Sequence, residues 1–138
     1  MAVDKRPRVL IVDDDVDFTY LAQKALEKAG FDVTCAHSGE EGSQRAKEIK
    51  PDLIVLDTMM ETQTEGFQVV HDLRQDPELR DISIMMLTSI NAKAYPWRLD
   101  RDDTWLPVDL FLDKPVSGER LVAEVRRLLE AREVSRAS

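Results

Sequence analysis

Pro51-Asp52-Leu53-Ile54-Val55-Leu56-Asp57 contains an unbroken apolar run, Leu53 to Leu56, that stops abruptly at an acid. A strand exposed on one face alternates polar and apolar residues. A strand apolar at every position must be covered on both faces, as in a parallel sheet between two layers of helix. Pro51 closes whatever helical pattern precedes the run, because the residue before a proline is pushed out of the helical region.

Working outward, the same punctuation recurs. Arg8 to Val12 is apolar after its first residue and ends in Asp13-Asp14-Asp15. Phe31 to Ala36 reads as a second strand, Ile82 to Leu87 as a fourth ending at Thr88, and Val108 to Leu112 as a fifth before Asp113-Lys114-Pro115. Between them the period changes. Phe18, Leu21, Ala22, Ala25, Leu26 and Ala29 recur at three- and four-residue spacing, one face of a helix stopped by Gly30. Ser38 and Gly39 open a helix bearing Glu40, Glu41, Ala46 and Ile49, and another covers about Phe67 to Arg74 before Asp76-Pro77. Ser117 is positioned as an N-cap for a last helix, Gly118 to Arg132, although Arg120 stands where a capping box prefers Glu. Residues 133–138 read as a frayed tail. The stretch 89–107 holds two tryptophans and two prolines and accommodates at most a short helix. Strand and helix alternate five times, which specifies an α/β, doubly wound parallel sheet in a single domain spanning residues 1–138.

Composition fits that picture. The 138 residues are 43% hydrophobic and 33% charged, with a formal charge of -8. Acidity argues against direct nucleic-acid binding and against attraction to anionic membrane. No apolar run is long enough to span a bilayer and no signal-peptide core follows Met1, so the expected location is cytoplasmic. Cys35 is the sole cysteine and excludes an internal disulfide. It reads as a buried thiol, and His37 and His71 are too far apart in sequence to suggest a metal site.

Ligands of open parallel sheets bind beyond the carboxyl ends of the strands. Those ends carry Asp13 and Asp14, Asp57, Thr88 and Ser89, and Lys114. Three gathered carboxylates repel one another unless a cation sits among them, and hard oxygen donors suit Mg2+. A carboxylate can attack phosphorus to form an aspartyl phosphate. Lys114 would then offset charge on the phosphoryl group, and Thr88 could donate a hydrogen bond to it. For each residue taken singly, strand-end capping is the competing explanation; their shared register is what favours chemistry.

Val9-Leu10-Ile11-Val12-Asp13-Asp14-Asp15, Pro51 to Asp57, Ile84-Met85-Met86-Leu87-Thr88-Ser89 and Phe111-Leu112-Asp113-Lys114-Pro115 together resemble the receiver domains of two-component response regulators, from about Arg8 to Arg132. The resemblance implies a flavodoxin-like sheet in the order 2-1-3-4-5. It implies Asp57 as phosphoacceptor and Asp13 and Asp14 as the acidic pair for Mg2+, one direct and one through water. Met59 would lend its backbone carbonyl to the metal, Thr88 would move toward the phosphoryl group, and Phe111 would be a switch aromatic. Phe111 as plain core is equally open. Pro115 stands where the family often has a cis proline. Two departures stand out. Glu61 replaces a usual proline, and Gly66 comes nine residues after Asp57 where the family has eight. The segment from Thr88 to Lys114 is also longer, with Trp97 and Trp105 serving as local core or as a partner patch.

The function expected from the resemblance is a signalling switch phosphorylated on Asp57 by a histidine kinase or phosphotransfer protein. It would hydrolyse its own phosphoryl group slowly without being a turnover enzyme. With no output domain after the last helix, the expected output is contact with another, unidentified protein, by a monomer or weak dimer. The alternatives are a phosphate-independent binding module on the same fold and a metal-dependent phosphatase-type hydrolase.

Overall fold

β1 (Arg8–Val12) lies between β2 (Asp32–Ala36) and β3 (Leu53–Asp57), so its four apolar residues are covered above, below and on both edges. The computed structural model describes residues 6–57, 65–88 and 108–137. β4 (Ser83–Thr88) pairs with β3, and β5 (Leu110–Asp113) with β4, all in parallel. The sheet runs β2-β1-β3-β4-β5, the doubly wound order implied by the resemblance.

Strand periodicity divides the core into two layers. Leu10, Val12, Ile54, Leu56, Ile84 and Met86 face one way, packing with Ala46 of α2 (Gly39–Ile49) and Val69, Val70 and Leu73 of α3 (Glu65–Gln75). Val9, Ile11, Leu53, Val55, Met85 and Leu87 face the other way, with Ala22 and Leu26 of α1 (Val16–Lys28) and Leu121 and Val125 of α4 (Gly118–Ala137). This is why the strands show no polar alternation.

The helix ends follow from local chemistry. Gly30 adopts φ 103° just past α1, and the amides of Gly30 and Phe31 bond back to the carbonyls of Glu27 and Leu26, a Schellman closure that a β-carbon would strain. Ser38 accepts the Glu41 amide and Ser117 the Arg120 amide, capping α2 and α4 without a Glu at the latter. Gly42 is needed for a different reason. A β-carbon there would lie 2.8 and 2.9 Å from the methyls of buried Val12, so glycine lets α2 sit directly on β1 beside Asp13.

Several boundaries differ from the sequence reading. β2, β4 and β5 begin one or two residues later than the apolar runs do, because the first apolar residue of each run packs before strand pairing starts. α4 continues past Arg132 to Ala137, where a frayed tail is expected from 133 onward. Nothing in Glu133-Val134-Ser135-Arg136-Ala137 stops a helix: there is neither Gly nor Pro. Leu21, read as part of the buried face of α1, is 66% exposed; Ala22 and Leu26 of that face are buried, and Thr19 joins them. The stretch 89–107 lies outside the described residues, and with it the expected short helix, Trp97 and Trp105. No described helix is long and apolar enough to cross a membrane.

Candidate functional site

Parallel pairing carries each strand's last residue to the same rim. Asp13 follows β1 and its amide still bonds the Ala36 carbonyl of β2 at 3.0 Å. Asp57 ends β3 opposite Leu87, so Thr88 stands one position further along the neighbouring strand. Lys114 follows β5, held there by its amide bonding the Thr88 carbonyl at 2.7 Å. The Lys114–Pro115 peptide is cis.

Carboxylate oxygens of Asp13, Asp14 and Asp57 all lie within 4.8 Å of one another. Asp13 is fully buried and already engaged: one oxygen accepts the Asp15 amide at 3.0 Å, the other the Lys114 ammonium at 2.7 Å. Asp57 is almost as deeply buried, with Oδ1 3.7 Å from Lys114 Nζ. Asp14 is exposed at the mouth. Burial, and next the charge of Asp13, raise the pKa of Asp14, with Lys114 partly opposing them. Burial alone would lower the pKa of Lys114. The hydrogen bond to Asp13 and the charges of Asp57 and Asp13 outweigh that, leaving the ammonium more firmly protonated than usual. The Phe18 ring lies beneath it, its centroid 4.8 Å from Nζ.

Among the described residues, three carboxylates face one ammonium, which leaves two negative charges at the rim. That is the charge and donor chemistry a small divalent cation requires, so the residues fit Mg2+. Asp13, Asp14 and Asp57 each offer one oxygen to such an ion, Asp14 from the exposed mouth and the other two from buried positions.

Thr88 is fully buried, and its hydroxyl donates across to β5: 2.9 Å to Asp113 Oδ1 and 3.4 Å to the Leu112 carbonyl. Phe111 pairs with Met86 and packs, half-buried, against the core layer under α2 and α3. Met59 and Glu61 lie outside the described residues.

Three residues of this site carry no site role in the sequence reading. Asp15 caps α1 through the Phe18 amide, at 3.0 Å, while its own amide orients Asp13; an acid just before an apolar-periodic run was the available signal. Phe18 was read only as helix face. Asp113 as partner of Thr88 had no signal, because the pairing depends on the β4–β5 register.

The family model for the response regulator receiver domain matches residues 9–126. The chain belongs to the response regulator receiver family. This receiver is 39% identical over 126 residues to the DNA-binding dual master transcriptional regulator RpaA of Synechocystis, covering 89% of this chain and 49% of that protein. It is 34% identical to the alkaline phosphatase synthesis regulator PhoP of Bacillus subtilis, covering 95% and 52%. The receiver thus spans about half the length of these curated relatives. Among solved structures, the chemotaxis protein CheY4 of Vibrio cholerae superimposes with a TM-score of 0.79 at 25% identity, covering 90% of this chain and 99% of that one. Membership carries the family's general role, a phosphorylation-dependent switch in two-component signalling.

Proposed function

We propose that this receiver accepts a phosphoryl group on Asp57 from the phosphohistidine of a histidine kinase or phosphotransfer protein. A carboxylate oxygen of Asp57 attacks phosphorus, the bond from phosphorus to the imidazole nitrogen breaks, and an acyl phosphate forms. Asp13, Asp14 and Asp57 would hold Mg2+, with the backbone carbonyl of Met59 as a further donor. The metal, when bound, supplies charge neutralisation between the carboxylates and the incoming phosphoryl oxygens. Lys114 moves its ammonium from the carboxylate pair to a phosphoryl oxygen, and the Thr88 hydroxyl donates to another.

What supports this reading above all is the arrangement at Asp57: a nearly buried carboxylate, an ammonium 3.7 Å away, and two more carboxylates within 4.8 Å. Slow self-hydrolysis then ends the signal. Phosphorylation adds charge and acceptor oxygens beside Thr88 and Lys114, at the end of β5. A change in the surface of β5 and α4, with Phe111 moving alongside Thr88, would pass the signal to a downstream protein. The protein is taken to work in the cytoplasm as a monomer or weak dimer.

The test is intact-protein mass spectrometry after incubation with acetyl phosphate and Mg2+. One phosphoryl group is expected on the native chain and none on Asp57→Asn. No gain by the native chain, or an equal gain by Asp57→Asn, would overturn the reading.

A further inference from the structure

Thr88 is fully buried, and its one hydroxyl proton is already committed to β5. The acceptors are the Asp113 carboxylate at 2.9 Å and, more weakly, the Leu112 carbonyl at 3.4 Å. A hydroxyl carries a single O–H and so makes one strong donation at a time. Donation to an ionised carboxylate is also among the stronger hydrogen bonds available to it. We propose that Asp113 is a positioning residue that holds the Thr88 hydroxyl on β5 and thereby sets how readily the site accepts a phosphoryl group.

The inference rests on the reading of Asp57 as acceptor and extends it to the regulation of that site. A phosphoryl oxygen at Asp57 and the carboxylate at Asp113 compete for the same proton. Thr88 and Asp113 are paired across β4 and β5, so the bond needs no loop to form it. Asp113 is itself exposed, although Thr88 is not. Its carboxylate can therefore return to water once Thr88 swings away, which makes the latch reversible. Its removal also leaves no cavity in the core. Asp113 directly precedes Lys114, so the two residues at the end of β5 act in opposite senses. One offers a cation to the phosphoryl group; the other withholds the hydroxyl.

The experiment measures the affinity of the full chain for beryllofluoride, a phosphoryl mimic, in the presence of Mg2+. Asp113→Ala is expected to tighten binding about tenfold, the scale of one charge-assisted hydrogen bond, whereas Asp113→Asn, which keeps an acceptor, should tighten it by no more than about threefold. Simple loss of negative charge near the site predicts equal gains for the two variants, and that result would overturn the latch. In the unliganded protein, three-bond couplings to the Thr88 methyl should report one fixed rotamer in the native chain and in Asp113→Asn, and averaging in Asp113→Ala. An unchanged rotamer in Asp113→Ala would also overturn it. Native protein that binds beryllofluoride while Asp113→Ala binds it no better sinks this proposal alone. Native protein that binds none sinks the acceptor reading and this proposal with it.

Discussion

At the amino ends of the strands, charged side chains close upon backbone; at the carboxyl ends they close upon each other. Arg74 donates to the carbonyls of Arg80 and Ile82 at 2.6 and 2.8 Å and pairs with Asp109 at 3.4 Å. Asp109 in turn accepts the Ile84 amide at 2.7 Å. Arg8 reaches the Ile49 carbonyl, and Arg132 reaches the carbonyl and carboxylate of Asp52. Positive and negative groups are matched there and double as caps for turns; among the described residues only Nε of Arg132 is buried without a partner. The opposite rim packs Asp13, Asp14 and Asp57 around the Lys114 ammonium. Carboxylates that repel in the resting state store a preference for a cation, and accept an anionic phosphoryl group only with that cation's charge beside them. One end is built to hold the fold, and the other gathers like charges that a bound cation would offset.

Lys114→Met should break that comparison most severely at the functional rim. The rate of phosphoryl uptake from acetyl phosphate should fall by roughly a hundredfold, the usual cost of losing a charge placed on a transferring group. A fall of less than about fivefold would mean the ammonium is structural after all.

Arg74→Leu tests the other end. It removes two hydrogen bonds to carbonyls and one ion pair, so urea denaturation should show a loss of about 2–3 kcal/mol. Phosphoryl uptake should remain within about twofold of native, since Arg80, Ile82 and Asp109, which Arg74 bonds, lie at the amino ends of the strands, away from the acidic rim. Coupled losses of stability and rate would show that the ends are not independent.

The smallest effect concerns Asp14. Its folded pKa is raised by burial and by Asp13, so the folded state binds that proton more tightly than the unfolded chain does. Ionised Asp14 therefore costs stability above its folded pKa. The cost disappears as the pH falls through that value toward the unfolded one, about 3.9. Without metal, Asp14→Asn should melt slightly above the native protein at neutral pH, with the gap closing on acidification. Adding Mg2+ should raise the native melting temperature more than that of the variant. Melting curves with and without Mg2+ across pH 4 to 8 sharpen the contrast between the ends, which vanishes if the variant melts lower at every pH.

Much of the architecture was legible because burial is written locally. Leu53 to Leu56, apolar throughout, announced a strand covered on both faces, and Gly30, Ser38 and Ser117 marked helix ends through chemistry confined to one turn. The strand-end positions of Asp13, Asp57, Thr88 and Lys114 followed from that punctuation alone. Leu21 was misread because an apolar residue at helical spacing can lie just off the buried stripe. Periodicity supplies a helix's face, but its rotation against the sheet is set by packing.

Partner choice within the rim belongs to the tertiary structure. Lys114 bonds Asp13 across 101 residues of chain, closer than it approaches Asp57. The Thr88 hydroxyl donates its hydrogen bond to Asp113, and Phe18 slides under the ammonium, through strand register and the seat of α1 on the sheet. Sequence determines which groups reach the rim, because strand ends are local events. Which of them touch is decided by differences of about an ångström or less between distant segments, and only the folded chain sets those.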